Sequence, residues 1–315
     1  MLRAAAKGVL LAAFGHLPGG PALYRRITRD LLGTQATHVD KLARVWPIYT
    51  QVWRERCGLE LAGLRVWVHE AGWTPYCGLI NFLLTGSGGV LTNRVGRMLD
   101  RYLARAVNGA LATDLPAGLV PVARRQRIEP LRWLHGAREA LAAVGAELHE
   151  GVSPARVPLP AASVDLVHSG GALEHYPPAL LEAFLGECHR VLRPGGVASH
   201  VLDHRDHLHH ADRAWPFLGH LALPGPLYRA ACGHPLGYHN RLAPAQVQRC
   251  FARAGLEPLA LRRLILPRQR YVDAAGDLAQ GRPGLPRWLL NGAHRDLSDD
   301  DLRTAAAHYI YRRPG

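Results

Sequence analysis

The sequence predicts an α/β fold built on a mostly parallel sheet, and residues 159–203 carry the main evidence. Residues 164–169 are a short apolar run, typical of a buried parallel strand. Apolar residues then recur at helical spacing over 178–192, and Pro194 with the pair Gly195-Gly196 ends that helix in a tight turn. A second strand follows. A strand, a helix and a strand joined in this way form a right-handed parallel crossover.

The other predicted elements complete such a sheet. In chain order they are helices over 21–59, a strand over 64–69 with a helix through 84, strands over 89–92 and 146–151, a helix over 244–254, a strand over 256–266, a helix beginning at Ser298 and a strand over 308–312. Ser298 and Asp301 form a variant of the capping box. We predict a helical cap over 1–60, a main domain over 61–315, and an irregular lid at about 204–240, because that stretch is rich in Pro, Gly and His.

Composition limits the classes of function. The chain has 315 residues, of which 48% are hydrophobic, so it can bury the core of one large domain. Its formal net charge is +13, yet the arginines that supply nearly all of it are scattered along the chain. A solvated basic surface is therefore favoured over a nucleic-acid groove. The five cysteines lack CxxC spacing, which favours reduced thiols in a cytoplasmic protein.

The N-terminus has a basic stretch, 1–7, followed by a short apolar stretch, 8–14. A signal peptide would need a cleavage site of small residues, and we find none here, so we predict an N-terminal helix of the mature protein. Arginine beside this apolar stretch is compatible with a weak contact to a membrane surface. No apolar run reaches the length of a spanning helix.

The motifs of residues 163–196 go beyond the fold class. Ser163-Val-Asp165-Leu-Val, Leu173-Glu174-His175 and His189-Arg190-Val-Leu-Arg-Pro-Gly-Gly196 resemble the fourth-to-fifth-strand region of class I S-adenosylmethionine-dependent methyltransferases. The similarity is greatest to the small-molecule branch, methyltransferase type 11, with the ubiquinone and menaquinone methyltransferases. The resemblance implies a Rossmann-like sheet of seven strands in the order 3-2-1-4-5-7-6, with helices on both faces and the last strand antiparallel. It also implies S-adenosylmethionine as cofactor.

The resemblance places the cofactor at the ends of four strands. The implied residues are Glu70, Ala71, Gly72 and Trp73 after the first strand, Asn93 after the second, Ser153 and Pro154 after the third, and Ser169 and Gly170 at the fourth. The first motif is degenerate, since the family acid falls on Val68 in one register and on Glu70 in another. Asn93 stands where the family has a carboxylate for the ribose hydroxyls, which should cost about tenfold in affinity. Ser153 replaces an acid that faces the adenine.

The histidine-rich segment 203–212 follows the fifth strand and borders the cleft in the resembled fold. We predict His207 as a general base, oriented by Asp206 or Asp203, because a histidine beside a carboxylate is suited to removing a proton. His175 completes the predicted catalytic set. The sequence leaves open that the segment is a plain surface loop or a zinc site.

The loop after the fourth strand contains part of a pattern that binds metal in other proteins. Some ubiquinone-pathway methyltransferases bind a divalent metal through Glu-x-x-Glu-His, and Glu174 and His175 match its last two members, whereas Gly171 replaces the first. Because two ligands make a weak site, we predict no metal and expect Glu174 and His175 to anchor the loop.

The resulting functional hypothesis is an enzyme that transfers a methyl group from S-adenosylmethionine to an oxygen or nitrogen of a small molecule. The missing family acids support an alternative, a methyltransferase-like protein with an eroded cofactor site that serves as a partner or catalyses other chemistry. A third hypothesis, RNA methylation, rests on charge alone.

Overall fold

The computed structural model describes residues 2–32, 39–94, 96, 98–115, 120–267, 270–273 and 275–315. Its strands form one sheet in the order β3-β2-β1-β4-β5-β8-β6-β7. They are β1 (Val66–His69), β2 (Val90–Asn93), β3 (Glu147–Glu150), β4 (Val164–Gly170), β5 (Leu192–Asp203), β6 (Glu257–Ile265), β7 (Arg270–Val272) and β8 (Ala306–Arg312). Strands β1 to β5 are parallel to one another, and β8 is antiparallel to both β5 and β6.

The predicted order is confirmed when β8 is counted as the seventh strand. The number of strands differs, since β7 pairs with the outer edge of β6 and brings the sheet to eight strands among the described residues. β7 has three residues, which is too short to show the alternation that reveals a strand in sequence.

Helices cover both faces of the sheet. They are α1 (Leu2–His16), α2 (Gly20–Arg26), α3 (Val39–Cys57), α4 (Tyr76–Thr85), α5 (Leu103–Ala112), α6 (Val122–Ile128), α7 (Ala137–Ala143), α8 (Pro178–Val191), α9 (His207–Ala211), α10 (Gly225–Cys232), α11 (Pro244–Arg253), α12 (Ala275–Leu278) and α13 (Asp299–Arg303). Alternate residues of β1 divide between the two faces, with Val66 and Val68 in one apolar cluster and Trp67 in the other. This is the period of two that a strand buried on both sides imposes.

The helices of the N-terminal 60 residues pack in two different places. Helix α3 contributes Trp46 and Trp53 to the core that includes β1 and α4. Helix α1 instead packs against α9 and α10, in the segment after β5 that we predict as a lid. None of the described helices is both long and apolar enough to cross a membrane.

Candidate functional site

A cavity of about 810 Å³ lies at the carboxyl ends of β1, β2, β4 and β5. That is where open α/β sheets bind ligands, and the volume suits a small molecule. Its walls are formed by Lys7, Leu11, Tyr24, Arg25, Glu70, Trp73, Arg94, Gly171, Ala172, His175, Pro177, His207, His210, Gly233, His234, Pro235, Leu236 and Tyr238. The N-terminal helices close one side, and Lys7 Nζ donates to the carbonyl oxygen of His207 at 3.5 Å.

The loop after β1 has the turn that the resemblance implies. Gly72 has a φ of +88°, which glycine adopts without cost, while Glu70 has a φ of +52°, which an L side chain rarely adopts. Asn93 is fully buried and binds both backbone groups of Gly72. Its Oδ1 accepts from the Gly72 N–H at 3.2 Å, and its Nδ2 donates to the Gly72 carbonyl at 3.3 Å. Asn93 therefore holds the loop in place and does not line the cavity.

Arg94, which sequence reasoning missed, occupies the wall between β2 and β4. Its backbone N–H and its Nε donate to Glu70 Oε1 at 3.1 and 3.0 Å. Its guanidinium carbon lies 4.7 Å from the centre of the Tyr176 ring, a cation–π contact. The only sequence signal was its position, directly after the strand that ends at Asn93.

The other residues predicted to bind the cofactor are dispersed. Trp73 joins Glu70 on the cavity wall, whereas Ala71 is buried behind it. Ser169 Oγ lies 2.8 Å from His200 Nδ1 inside the sheet, and a Cβ added at Gly170 would lie 3.6 Å from Tyr49 Oη.

Ser153 and Pro154 lie away from the cavity. Ser153 is exposed on a separate surface groove, where its Oγ accepts from the Ala155 N–H at 3.3 Å, and Pro154 is buried beside it. Of the nine residues, then, Glu70 and Trp73 reach the cavity and seven do not.

The predicted pairing of Asp206 with His207 does not form. Asp206 is the N-cap of α9, where its Oδ1 accepts from the Leu208 N–H at 2.9 Å, and its Oδ2 accepts from Trp215 Nε1 at 2.9 Å. Both oxygens are thus used within the segment, because an aspartate at a helix start bonds the orphan N–H groups of the first turn.

His210, which lines the cavity, instead pairs with Asp203 behind it. His210 Nε2 lies 3.0 Å from Asp203 Oδ2, and Arg205 donates to the same carboxylate through Nε and Nη2, each at 2.7 Å. Burial would raise the pKa of Asp203, but the hydrogen bonds from His210 and Arg205 outweigh it and hold that pKa well below its usual value. The carboxylate is therefore charged at neutral pH.

Three potential metal ligands meet at the other side of the same segment. One ligand atom each from Glu174, His175 and His207 lies within 4.8 Å of the others. The prediction of no metal considered Glu174 and His175 without a third ligand, and the fold supplies one in His207. It could have been found from the sequence, because β4 and β5 are adjacent and the loops that follow adjacent parallel strands meet.

The protonation states of the three groups follow from burial. Burial raises the pKa of Glu174 to about 8, and a negative charge on Asp203 adds to the effect. Burial, together with His239 and His175, holds the pKa of His207 well below its usual value. At pH 7 the Glu174 carboxyl group is therefore mostly protonated, and the His207 imidazole is neutral.

Comparison with known proteins supports the fold assignment. Residues 95–199, about a third of the chain, match the family model described as "Methyltransferase domain". None of the curated proteins matches the chain. This match and the strand order confirm the predicted resemblance to class I S-adenosylmethionine-dependent methyltransferases and the Rossmann-like fold class.

Solved structures with similar coordinates are distant in sequence. One is an S-adenosylmethionine-dependent methyltransferase from Mesorhizobium loti, with 14% identity over 87% of this chain and 100% of the other, at a TM-score of 0.44. A geranyl diphosphate methyltransferase in complex with GPP and sinefungin has 13% identity over 86% of this chain and 80% of the other, at a TM-score of 0.43. The [4+2]-cyclase SpnF has 15% identity over 85% of this chain and 80% of the other, at a TM-score of 0.42. Similarity this low transfers neither activity nor substrate.

Proposed function

We propose that this chain binds S-adenosylmethionine and transfers its methyl group to an oxygen or nitrogen atom of a small molecule. One observation carries the proposal: a single cavity joins the loop after β1 to acid–base groups that follow β4 and β5. Glu70 and Trp73 lie on one wall, and His175, His207 and His210 lie on another. A cofactor held at the first wall would thus face ionisable groups at the second.

The residues present fit this cofactor in part. The Gly72 turn, with its positive φ, shapes the loop that brings Glu70 and Trp73 to the cavity. Glu70 would hold an ammonium or hydroxyl group, and Trp73 offers an aromatic face. The bound cofactor would supply an electrophilic methyl group on a sulfonium. The chain itself aligns the acceptor with that group and excludes water, and alignment of this kind supplies several kcal/mol of rate acceleration.

His210 is the better candidate for the base. Its Nε2 is engaged by Asp203, which fixes the orientation of the ring and leaves Nδ1 to accept a proton. His207 has a strongly lowered pKa and is a weaker base at neutral pH. In the proposed step the acceptor gives its proton to His210 and forms the bond to the methyl carbon. The electrons of the broken carbon–sulfur bond remain on sulfur, which yields S-adenosylhomocysteine.

A protein with an eroded cofactor site is the second candidate, and specific contacts favour it. The side-chain amide of Asn93 is hydrogen-bonded to the backbone of Gly72, and Glu70 is bonded to Arg94. Both groups would have to exchange these partners for cofactor atoms. Such a protein would keep the cavity for another ligand.

Calorimetric titration of the full chain with S-adenosylhomocysteine separates the two candidates. We expect saturable heat with one site per chain. The absence of both heat and a thermal shift at millimolar ligand would overturn the methyltransferase proposal in favour of the eroded site.

We also propose a cytoplasmic protein that touches a membrane surface through its N-terminal helices. The five cysteines are free thiols, as expected in a reducing compartment. Leu2, Val9 and Leu31 are 88%, 72% and 79% exposed beside basic residues, a pattern typical of interfacial helices. Co-sedimentation with vesicles of neutral and of anionic phospholipid tests this. We expect binding to the anionic vesicles, and its absence would contradict the contact.

A further inference from the structure

We infer that the acceptor bound in the cavity carries a negatively charged group, a carboxylate or a phosphate, and that Lys7 of α1 holds this group. The inference rests on the proposed methyl transfer, because it names the class of molecule that would receive the methyl group. The cavity wall contains the cations Lys7, Arg25 and Arg94. Glu70 is the only carboxylate among the described residues that form the wall. An excess of positive charge of this kind favours anionic ligands.

The one carboxylate on the wall is already paired with one of the cations. Glu70 Oε1 accepts from the backbone N–H and from Nε of Arg94, at 3.1 and 3.0 Å. The uncompensated charges of the wall are therefore those of Lys7 and Arg25, which belong to the N-terminal helices α1 and α2.

The ammonium group of Lys7 lacks a strong partner in the part of the chain that the structure describes. Its one hydrogen bond there, to the carbonyl oxygen of His207, measures 3.5 Å, beyond the usual range of about 2.7–3.2 Å. Asp206 attracts it electrostatically, but the two oxygens of that carboxylate accept from Leu208 and Trp215. An ammonium group has three donors, so at least two are available to a ligand.

Burial makes this charge unfavourable while the cavity holds no anion. Lys7 is half-buried, and the loss of hydration lowers the pKa of its ammonium group. The negative charge of Asp206 offsets this effect only in part. Because an opposite charge at close range favours the charged form, a bound anion would compensate for the lost hydration.

The position of Lys7 assigns the anion to the acceptor rather than to the cofactor. Lys7 contacts the backbone of His207, and a Cβ at the neighbouring Gly8 would lie 3.6 Å from Leu208. Both contacts are with the segment that follows β5. The cofactor is proposed at the loop after β1, and β4 lies between β1 and β5 in the sheet.

The geometry of α1 directs Lys7 toward the cavity and not toward a membrane. Lys7 and Leu11 both line the cavity, since residues four apart share one face of a helix. Val9 lies about 200° around the helix from Lys7 and is 72% exposed. The charge and the exposed apolar residue are thus on different faces. A phospholipid head group would meet the second face.

Apolar side chains near Lys7 suit the rest of such an acceptor. Leu11, Tyr24 and Leu236 line the same cavity. They would contact an aromatic or aliphatic body that carries the anionic group. An anion fixed at Lys7 would orient the methylated atom toward the cofactor, and positioning of this kind accelerates a transfer reaction.

Calorimetric titration of the full chain with three naphthalene derivatives tests the preference for anions. Naphthoate and naphthyl phosphate are negatively charged, whereas naphthamide has a similar shape and no charge. We expect one of the two anions to bind about 10–100-fold more tightly than the amide, the range for one charge-assisted hydrogen bond. The better anion distinguishes a carboxylate site from a phosphate site. An amide that binds as tightly as both anions overturns the inference, and so does a lack of binding by all three.

Two variants and a matched control test the role of Lys7. Lys7→Met removes the charge and should weaken binding of the preferred anion by about 10–100-fold. Lys7→Arg keeps the charge and should restore most of the affinity. Lys41→Met changes the other lysine of the chain, which is exposed and outside the cavity, and should leave the affinity unchanged. Wild-type affinity for the anion in Lys7→Met overturns the inference.

Titration with S-adenosylhomocysteine separates this inference from the proposed function. Lys7→Met should leave the affinity for the nucleoside unchanged. An equal fall for nucleoside and anion would assign Lys7 to the carboxylate of the cofactor and overturn the inference. Anion binding by a wild-type chain that does not bind the nucleoside would support the anion site and contradict methyl transfer. Nucleoside binding without a preference for anions would do the reverse.

Discussion

The two ends of the cavity differ in how their polar groups are bonded. At the nucleotide end, formed by the loops after β1 and β2, side chains bond groups of the same two loops: Asn93 bonds Gly72, and Glu70 Oε1 bonds Arg94. At the acceptor end, formed by the loops after β4 and β5, the imidazoles of His175, His207 and His210 face the cavity.

This difference sets what each end can offer a ligand. A ligand at the nucleotide end must replace the charge-assisted hydrogen bonds of Glu70, worth about 1.5–3 kcal/mol each, or the neutral bonds of Asn93, worth about 0.5–1.5 kcal/mol each, so its net gain is small. A ligand at the acceptor end instead meets imidazoles that already line the cavity. The acceptor end is thus the more preorganised part of the cavity, and preorganised polar groups are the main source of catalytic stabilisation.

The largest effect should come from the acceptor end. His210→Ala removes the proposed base and should lower turnover by about 10²–10⁴, the usual contribution of general base catalysis. Release of S-adenosylhomocysteine over a panel of hydroxyl and amine acceptors measures it, with His135→Ala as the control. Wild-type turnover in the His210 variant would remove this residue from the mechanism.

At the nucleotide end, Gly72→Arg should abolish binding of S-adenosylhomocysteine. A φ of +88° is strained for arginine, and the strain would displace the loop that brings Glu70 and Trp73 to the cavity. Calorimetry measures the loss. Gly186→Arg is the matched control, because a Cβ at that helical position meets nothing within 4 Å. Normal binding by the Gly72 variant would show that the cofactor lies elsewhere.

The fold and the two ends differ in how far the sequence predicts them. The strand order follows from local signals, namely the apolar run over 164–169, the helical spacing after Pro178 and the turn at Gly195. Such signals depend on residues that are close together in the sequence. The positions of β4 and α8 in the structure therefore agree closely with the prediction. β7 is the exception, since three residues carry no pattern.

The site depends on contacts that the sequence does not encode locally. Asp206 lies next to His207 along the chain, yet a helix N-terminus takes its carboxylate, and Asp203 reaches His210 seven residues away. Asn93 was placed correctly at the end of β2, but the direction of its side chain is set by the Gly72 turn. Position along a strand is thus predictable, whereas the choice of partner is decided by packing.

Acid should loosen β4, β5 and β8 before β2 and β3. His168, His200 and His308 lie in β4, β5 and β8, and burial lowers the pKa of His168 to about 4, that of His308 to about 3 and that of His200 well below its usual value. A folded-state pKa below the unfolded value of about 6.5 favours the neutral ring. The stability it contributes is complete above pH 6.5 and is lost as the pH falls toward 4.

Each of these histidines should reduce the free energy of unfolding by up to about 1.4 kcal/mol per pH unit within that window. Hydrogen exchange at pH 7 and pH 5 measures the regional effect. We expect a greater loss of protection in β4, β5 and β8 than in β2 and β3. Equal loss in both groups of strands would contradict this assignment of the acid-sensitive region.

The smallest effect, and the sharpest test of the nucleotide end, is Asn93→Asp. If Asn93 faced the ribose, the added charge would tighten binding of S-adenosylhomocysteine about tenfold. In the structure the change replaces the Nδ2 donor with an oxygen facing the Gly72 carbonyl, 3.3 Å away in a buried position. We therefore expect weaker binding, by up to about tenfold, and a lower melting temperature.

Asn291→Asp is the matched control for that change. Asn291 also donates through Nδ2 to backbone carbonyls, those of Leu221 and Leu223, and it does not line the cavity. It should lower stability without altering affinity for the nucleoside. Calorimetry measures the affinity of both variants for S-adenosylhomocysteine, and thermal unfolding measures their stability. Tighter binding by Asn93→Asp would contradict the expectation, because it would mean that the Gly72 turn releases this side chain to the cofactor.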